Sequence, residues 1–253
     1  MHHVEMQETT AEFVKCWQAA GQHLEVQARG GLNDWLKADL RPPFLEHLSF
    51  RLGNQLYFIR IEDADGRVPS PGSLNGLFSI ATGCKGHACI MSMKKTLGGW
   101  APVHSGWGLF DARTGKVLNP AQLVSEELIE MTDWELRDFA VQVVRQHLKK
   151  EGFQLMSWNG NPDVNPSIWF IGKDGPEWVM VSASRYPSDP VKPTILQQVR
   201  SQLEKVAKKG SYAAVAFAST DDPFDPEAKS NGNFVRLYRG HGVHVRFTGL
   251  EPV

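Results

Sequence analysis

Cys84-Lys85-Gly86-His87-Ala88-Cys89 sets two thiols and an imidazole within six residues, with His104 as a possible fourth ligand. Tetrahedral N/S ligation of that kind is what zinc takes. There is no second Cys/His pair at finger spacing, and on a strand alternation sends Cys84 and His87 to opposite faces, so the expectation is buried thiols and no metal. A cysteine nucleophile next to His87 or His104 lacks the glycine-flanked elbow that would expose it. Three carboxylates stand out elsewhere. Glu135 lies in a helix cap, Asp163 follows Pro162 in a turn, and Glu177 opens a strand; the ordinary reading of each is structural. The loop Asp221-Asp222-Pro223-Phe224-Asp225 has calcium-like acid spacing without the glycine and terminal glutamate of a calcium loop, and reads as a solvated turn. Cations gather late in the chain. Arg236, Arg239, His244 and Arg246, with Arg185 near the same strand ends, form a candidate phosphate-contacting patch of exposed charges. The eight tryptophans, among them Trp100 and Trp107 beside glycines, suit either a stacking groove or the anchoring of a bent sheet.

The elements that must position these residues are most legible from Thr132 onward. Thr132-Asp133-Trp134-Glu135 is a capping box, Met131 can staple against Leu136, and Leu136, Phe139, Ala140, Val143, Val144, His147 and Leu148 repeat at three and four. Arg137, Asp138 and Arg145 fall on the opposite side by this reading. Gly152 ends the helix, with lysines in its last turn as the helix dipole favours. Phe153 to Trp158 reads as a strand. Ser167 to Ile171 and Glu177 to Ser184 form a hairpin turned at Lys173-Asp174-Gly175. A second helix carries Ile195, Leu196, Val199, Leu203, Val206 and Ala207 and is closed by Gly210, Tyr212 to Ala218 is a strand buried on both faces, and Val243 to Thr248 is the last strand.

Before Thr132 the pattern predicts a helix from the Thr9-Thr10-Ala11-Glu12 cap to about Gly21 and a short helix over 32–40. A strand follows at Asn54 to Glu62, then a loop from Val68 to Gly76. Strands with tight turns, rather than helices, are expected from Leu77 to Leu118, and a short helix after Asn119-Pro120 carrying Leu123, Val124, Leu128 and Ile129. The shift from glycine-rich strands to long helical periodicity puts the domain boundary at Met131, giving an N-terminal α+β region over 1–131 and a second domain over 132–253.

Helix, strand, hairpin, helix, strand is also the element order of the PD-(D/E)XK superfamily, and Thr132 to Ala218 resembles that restriction-endonuclease-like core. The resemblance implies an αβββαβ fold, and a magnesium site held by Asp163, by an acid two residues before a lysine on the next strand, and sometimes by an acid from the first helix, here Glu135. In such a site the metal polarises a phosphate and the lysine activates water. This chain departs from the pattern. Read from Pro162-Asp163 the acid is Glu177 and the lysine position is Val179. Folding the hairpin about Asp174 puts Ser167 across from Val181 and Asp163 across from about Arg185, while Glu177 sits beside the turn. At about 3.3 Å per residue the two carboxylates are then tens of ångströms apart. The acid-x-lysine slot falls on Ser182-Ala183-Ser184.

Composition frames the rest. A 253-residue chain with 42% apolar and 22% charged residues buries a full core without staples, and a formal charge of −1 leaves any polyanion contact to a local patch. Three cysteines are too few for a disulfide framework, the polar start at Met1 to Thr10 gives no signal peptide, and no apolar run reaches membrane length. The expectation is a cytoplasmic, bacterial-type α+β protein: an N-terminal helix-plus-antiparallel-sheet region packed on a degenerate nuclease-like domain. It is expected to bind DNA, RNA or a protein partner without catalysis, cofactor or membrane contact. Two alternatives are a magnesium-dependent nuclease with a displaced site and an assembly protein using a tryptophan-rich interface.

Overall fold

The computed structural model describes residues 9–29, 48–207, 209–222, 224–232 and 234–253. The helix expected over 32–40 lies outside them. The protein is α+β, divided into two units, Met1–Glu127 and Leu128–Val253. The division falls ahead of residues 129–131 because these belong to the second unit. Met131 N–H donates to the Leu237 carbonyl (2.8 Å), and Arg239 N–H donates to that of Ile129 (3.0 Å).

In the first unit, α1 (Ala11–Gln27) is capped by Thr10, whose hydroxyl accepts from Phe13 N–H. It runs through Gly21 to Gln27, beyond the expected end, because Phe13, Cys16, Trp17, Ala20 and Leu24 keep one face buried along its whole length. The sheet joins β1 (Leu48–Leu52), β2 (Gln55–Asp63), β3 (His87–Thr96), β5 (Leu109–Asp111) and β6 (Val117–Leu118) in that order, with β4 (Gly99–Pro102) also on β3. It is mixed rather than antiparallel. β2 and β3 run parallel, and such a pair needs a crossover, supplied by α2 (Leu74–Gly83). That helix corrects the expectation of loop and strands. Ser73 caps it by accepting from Gly76 N–H, and Leu77, Ile80 and Ala81 bury its face despite glycines at both ends. Arg60 fixes the loop leading into it, donating to the carbonyls of Pro71 (2.9 Å) and Gly72 (2.8 Å) while pairing with Glu62. After Asn119, α3 (Pro120–Leu123) is a single turn, shorter than expected, and Leu128 is exposed.

The second unit begins with α4 (Asp133–Lys150), whose capping box is formed as read: Thr132 Oγ1 accepts from Glu135 N–H (3.2 Å), and Glu135 Oε2 accepts from Thr132 N–H (2.7 Å). A five-stranded sheet follows in the order β11-β10-β9-β8-β7, comprising β7 (Gln154–Trp158), β8 (Ile168–Gly172), β9 (Gly175–Arg185), β10 (Lys209–Ser219) and β11 (Val243–Pro252). β9 and β10 are parallel, joined through α5 (Leu196–Leu203); the other neighbours are antiparallel. α5 is shorter than expected, leaving Ile195 and Val206 exposed and Gly210 in β10. A short α6 (Pro226–Asn231) precedes β11.

Strand alternation divides the core between two faces. Ile168, Phe170, Val179, Val181, Ala213, Val215 and Phe217 pack with Leu136, Ala140, Val141, Val144 and Leu148 of α4. Trp178, Met180 and Tyr212 pack on the other face with Leu196 and Val199 of α5. The four strands expected in one sheet are therefore in one sheet, with a helix on each side. One register differs from expectation. The hairpin turn has two residues, Lys173-Asp174, closed by Gly172 opposite Gly175, so Ile168 faces Val179 instead of Met180. Gly175, at φ 123°, takes the conformation that makes the shorter turn possible. Among the described residues, no helix is long and apolar enough to cross a membrane.

Gly210 lies beside Trp178 in the β9/β10 ladder, and a methyl group there would overlap the fully buried indole. Gly210→Ala should therefore lower unfolding free energy by about 1–3 kcal/mol, the usual cost of overpacking, in urea titrations followed by tryptophan fluorescence.

Candidate functional site

One candidate carboxylate, Glu135, and one candidate cation, Arg239, meet each other. Glu135, held by the α4 capping box, receives Arg239 through two bonds, Nε to Oε1 at 2.8 Å and Nη2 to Oε2 at 2.9 Å. The two side chains are 8% and 1% exposed, a bidentate pair out of water. With both oxygens also serving Arg239 or Thr132, Glu135 is spoken for as an acceptor. The expectation of an exposed Arg239 is corrected accordingly.

Arg185 ends β9 and turns back to the start of α4, where it pairs with Asp133 and donates to the Met131 carbonyl, with Glu130 3.9 Å from its Nε. Arg236 pairs with Glu130 at 2.9 Å. Glu130, Asp133 and Glu135 thus pair with Arg185, Arg236 and Arg239, the Arg236 pair at the surface and the Arg239 pair buried. The remaining two lie on β11, where His244 and Arg246 are exposed and the Arg246 guanidinium covers the Phe224 ring at 4.0 Å.

Asp163 is exposed in the loop between β7 and β8, its N–H donating to Asn161 Oδ1 at 2.9 Å. Glu177 sits opposite Phe170, two residues from the hairpin turn, with Lys209 Nζ 4.0 Å away. Lys209 also pairs with Asp174, whose carboxyl this hydrogen bond holds below its ordinary value. The hairpin carries Asp163 and Glu177 at opposite ends. Ser182 and Ser184 lie on the same side of β9 as Trp178 and Met180, the α5 face, whereas Glu135 belongs to the helix on the other face. Ser182 is buried, as is the Ser184 hydroxyl.

Sequence reasoning missed Arg137. Its guanidinium is half-buried, donating to Ser167 Oγ at 2.9 Å and Asn165 Oδ1 at 3.2 Å, and Ser167 Oγ in turn accepts from Val181 N–H. The signal was present in the spacing. Arg137 stands three and four residues before the buried Ala140 and Val141, inside the stripe assigned to the core rather than opposite it.

In the first unit the thiols are placed for packing. Cys16 and Cys89 belong to the core beneath α1, where burial pushes the Cys16 thiol up to about 12 and raises that of Cys89. Neither ionises at neutral pH, so neither is a ready nucleophile. Cys84 caps α2, His87 stacks on Tyr57 and meets Gln55 at 3.1 Å, and His104 packs edge-on to Phe110. Trp107 is buried against Phe50, and Trp100 donates to Glu12 at 2.9 Å. None of the described tryptophans is exposed. Asp222, in the acidic loop, is buried and accepts from Val235 N–H.

Residues 134–253 match a family model described as a domain of unknown function, DUF8840. No curated protein and no solved structure matches the chain. The DUF8840 match runs from the first turn of α4 to the end of β11, and so spans nearly the whole second unit.

Removing one member of a buried ion pair strands its partner, at a cost of about 3–5 kcal/mol, whereas an exposed pair contributes roughly 0–1 kcal/mol. Arg239→Ala should therefore destabilise the protein severely and Arg236→Ala barely, as measured by chemical denaturation of the two variants beside wild type.

Proposed function

We propose that the Leu128–Val253 unit is a non-catalytic binding module on a restriction-endonuclease-like αβββαβ core, and that its partner is a protein. The fold reading is supported by the order α4, β7, β8, β9, α5, β10 and by the mixed sheet with one helix on each face. The observation that carries the loss of catalysis is the state of Glu135. A carboxylate locked to Arg239 and to its own helix cap is a poor ligand for magnesium, which demands near-octahedral oxygen coordination. Asp163 and Glu177 at opposite ends of the hairpin, and Ser182 and Ser184 where an acid and a lysine would be needed, support the same reading. Without a metal and a cation, little would stabilise the charge that develops during phosphodiester cleavage.

The choice of a protein partner rests on charge. With Arg185, Arg236 and Arg239 each paired to a carboxylate, His244 and Arg246 are what remains of the expected patch for a polyanion. Cys16, Cys84 and Cys89 are buried and no disulfide joins them, which supports a reducing compartment, the cytoplasm.

Purified protein with Mg²⁺ or Mn²⁺ should leave plasmid and single-stranded DNA intact in gel assays; cleavage abolished by Asp163→Ala would overturn the non-catalytic reading. In fluorescence anisotropy with labelled DNA or RNA, binding should be weak. The slope of log affinity against log salt should be no steeper than about −2, the value for two neutralised phosphates at roughly −0.9 each. A slope of −5 or steeper would show that a larger cationic surface is engaged and that nucleic acid is the partner.

A further inference from the structure

The five-stranded sheet ends in β11, which pairs with β10 on one side and, among the described residues, with no strand on the other. Antiparallel alternation fixes which of its backbone groups face out. Thr220 N–H donates to the Gly242 carbonyl (3.1 Å) at one end of the ladder, and Val253 N–H donates to that of Gly210 (3.0 Å) at the other. Counting inward from these two bonds, His244, Arg246 and Glu251 bond to β10, whereas Val243, Val245, Phe247 and Leu250 present N–H and C=O to the outside. Among the described residues, no hydrogen bond is made to those outer groups. An open row of this kind is a template for another extended chain.

An irregularity in β11 decides which chain fits. Between Ala213 and Val215 of β10 lies one residue, but between Phe247 and Leu250 of β11, which face them, lie two, Thr248 and Gly249. The extra residue shifts the alternation by one. Phe247 and Leu250 therefore both pack on the α4 side, while Arg246 and Glu251 both lie on the other, across from Ala216 and Tyr212. Arg246 and Glu251 are exposed there, the first over Phe224 and the second paired with Lys192 at the surface. A second β11, related by a two-fold axis between Thr248 and Gly249, matches this pattern position by position. Phe247 meets Leu250 of the second copy across a hydrogen-bonded pair, Arg246 meets its Glu251 on the opposite face, and Val245 meets its Pro252. The symmetry makes each contact twice. Centring the pair on Val245 or on Arg246 instead would face Arg246 with His244 or with itself, and neither supplies a countercharge. We propose that the chain forms a symmetric homodimer by antiparallel pairing of β11 with the β11 of a second copy, centred between Thr248 and Gly249, so that the two sheets become continuous. Self-pairing requires nothing of the rest of the second unit, so a chain that stays monomeric leaves the protein-partner reading above intact.

Sedimentation equilibrium of the full chain tests the assembly, and amide hydrogen exchange tests the surface. The wild type should dimerise reversibly with a Kd of about 1 mM or tighter. Arg246→Glu and Glu251→Arg each set like charges together twice and should weaken dimerisation roughly tenfold or more. Both positions are exposed, so folding should survive the substitutions. An equimolar mixture of the two variants restores both opposite-charge pairs and should form a heterodimer tighter than either variant alone. Exchange at Val245, Phe247 and Leu250 should slow as concentration rises through the dimerisation range. A wild type still monomeric at about 1 mM, a mixture no tighter than its components, or a dimer that leaves those amides unprotected would each overturn the proposal.

Discussion

The pair between Glu135 and Arg239 is the constraint around which the second unit is arranged. Glu135 is at once the third residue of α4, the reciprocal member of its capping box and the acceptor of a guanidinium that lies 104 residues away in sequence. Through it the N-terminus of the helix that covers one face of the sheet is tied to the segment over 237–239, which pairs in turn with residues 129–131. A bidentate bond fixes orientation as well as distance. The same interaction that sets α4 on the sheet therefore occupies the Glu135 carboxylate.

Around this anchor the charges of the unit are matched locally. Arg185 and Arg236 pair with Asp133 and Glu130 at the surface, and Arg246 spreads over Phe224. Such arrangements hold chain segments in register and leave a weak outward field. Arg137 differs: it is half-buried and bonded to the neutral side chains of Asn165 and Ser167.

How much of this was legible from sequence follows from how local each determinant is. The α4 cap and the apolar run of β10 are written in neighbouring residues and formed as read, and the β8/β9 hairpin formed with a different register. The hairpin register slipped by one because Lys173-Asp174-Gly175 can close as a two- or a three-residue turn, and only the ladder decides. α2 was hidden because glycines at Gly76 and Gly83 weaken helical propensity, while its buried face against β2 and β3 restores it. The parallel pairing of β2 and β3 went unseen with it. At the candidate site the residues were visible but their partners were not: Arg185 and Arg239 read as exposed cations because the acids that neutralise them are 52 and 104 residues away.

The central claim is that the carboxylates near this core do structural work instead of holding a catalytic ion. Electron paramagnetic resonance of the purified chain titrated with Mn²⁺ addresses it directly, because free and protein-bound ions give separable signals. The signal should remain that of free Mn²⁺ up to at least one equivalent per chain. Uptake of one ion per chain, lost on replacing Asp163 or Glu135, would contradict it and restore the metal-dependent enzyme as the reading of the second unit.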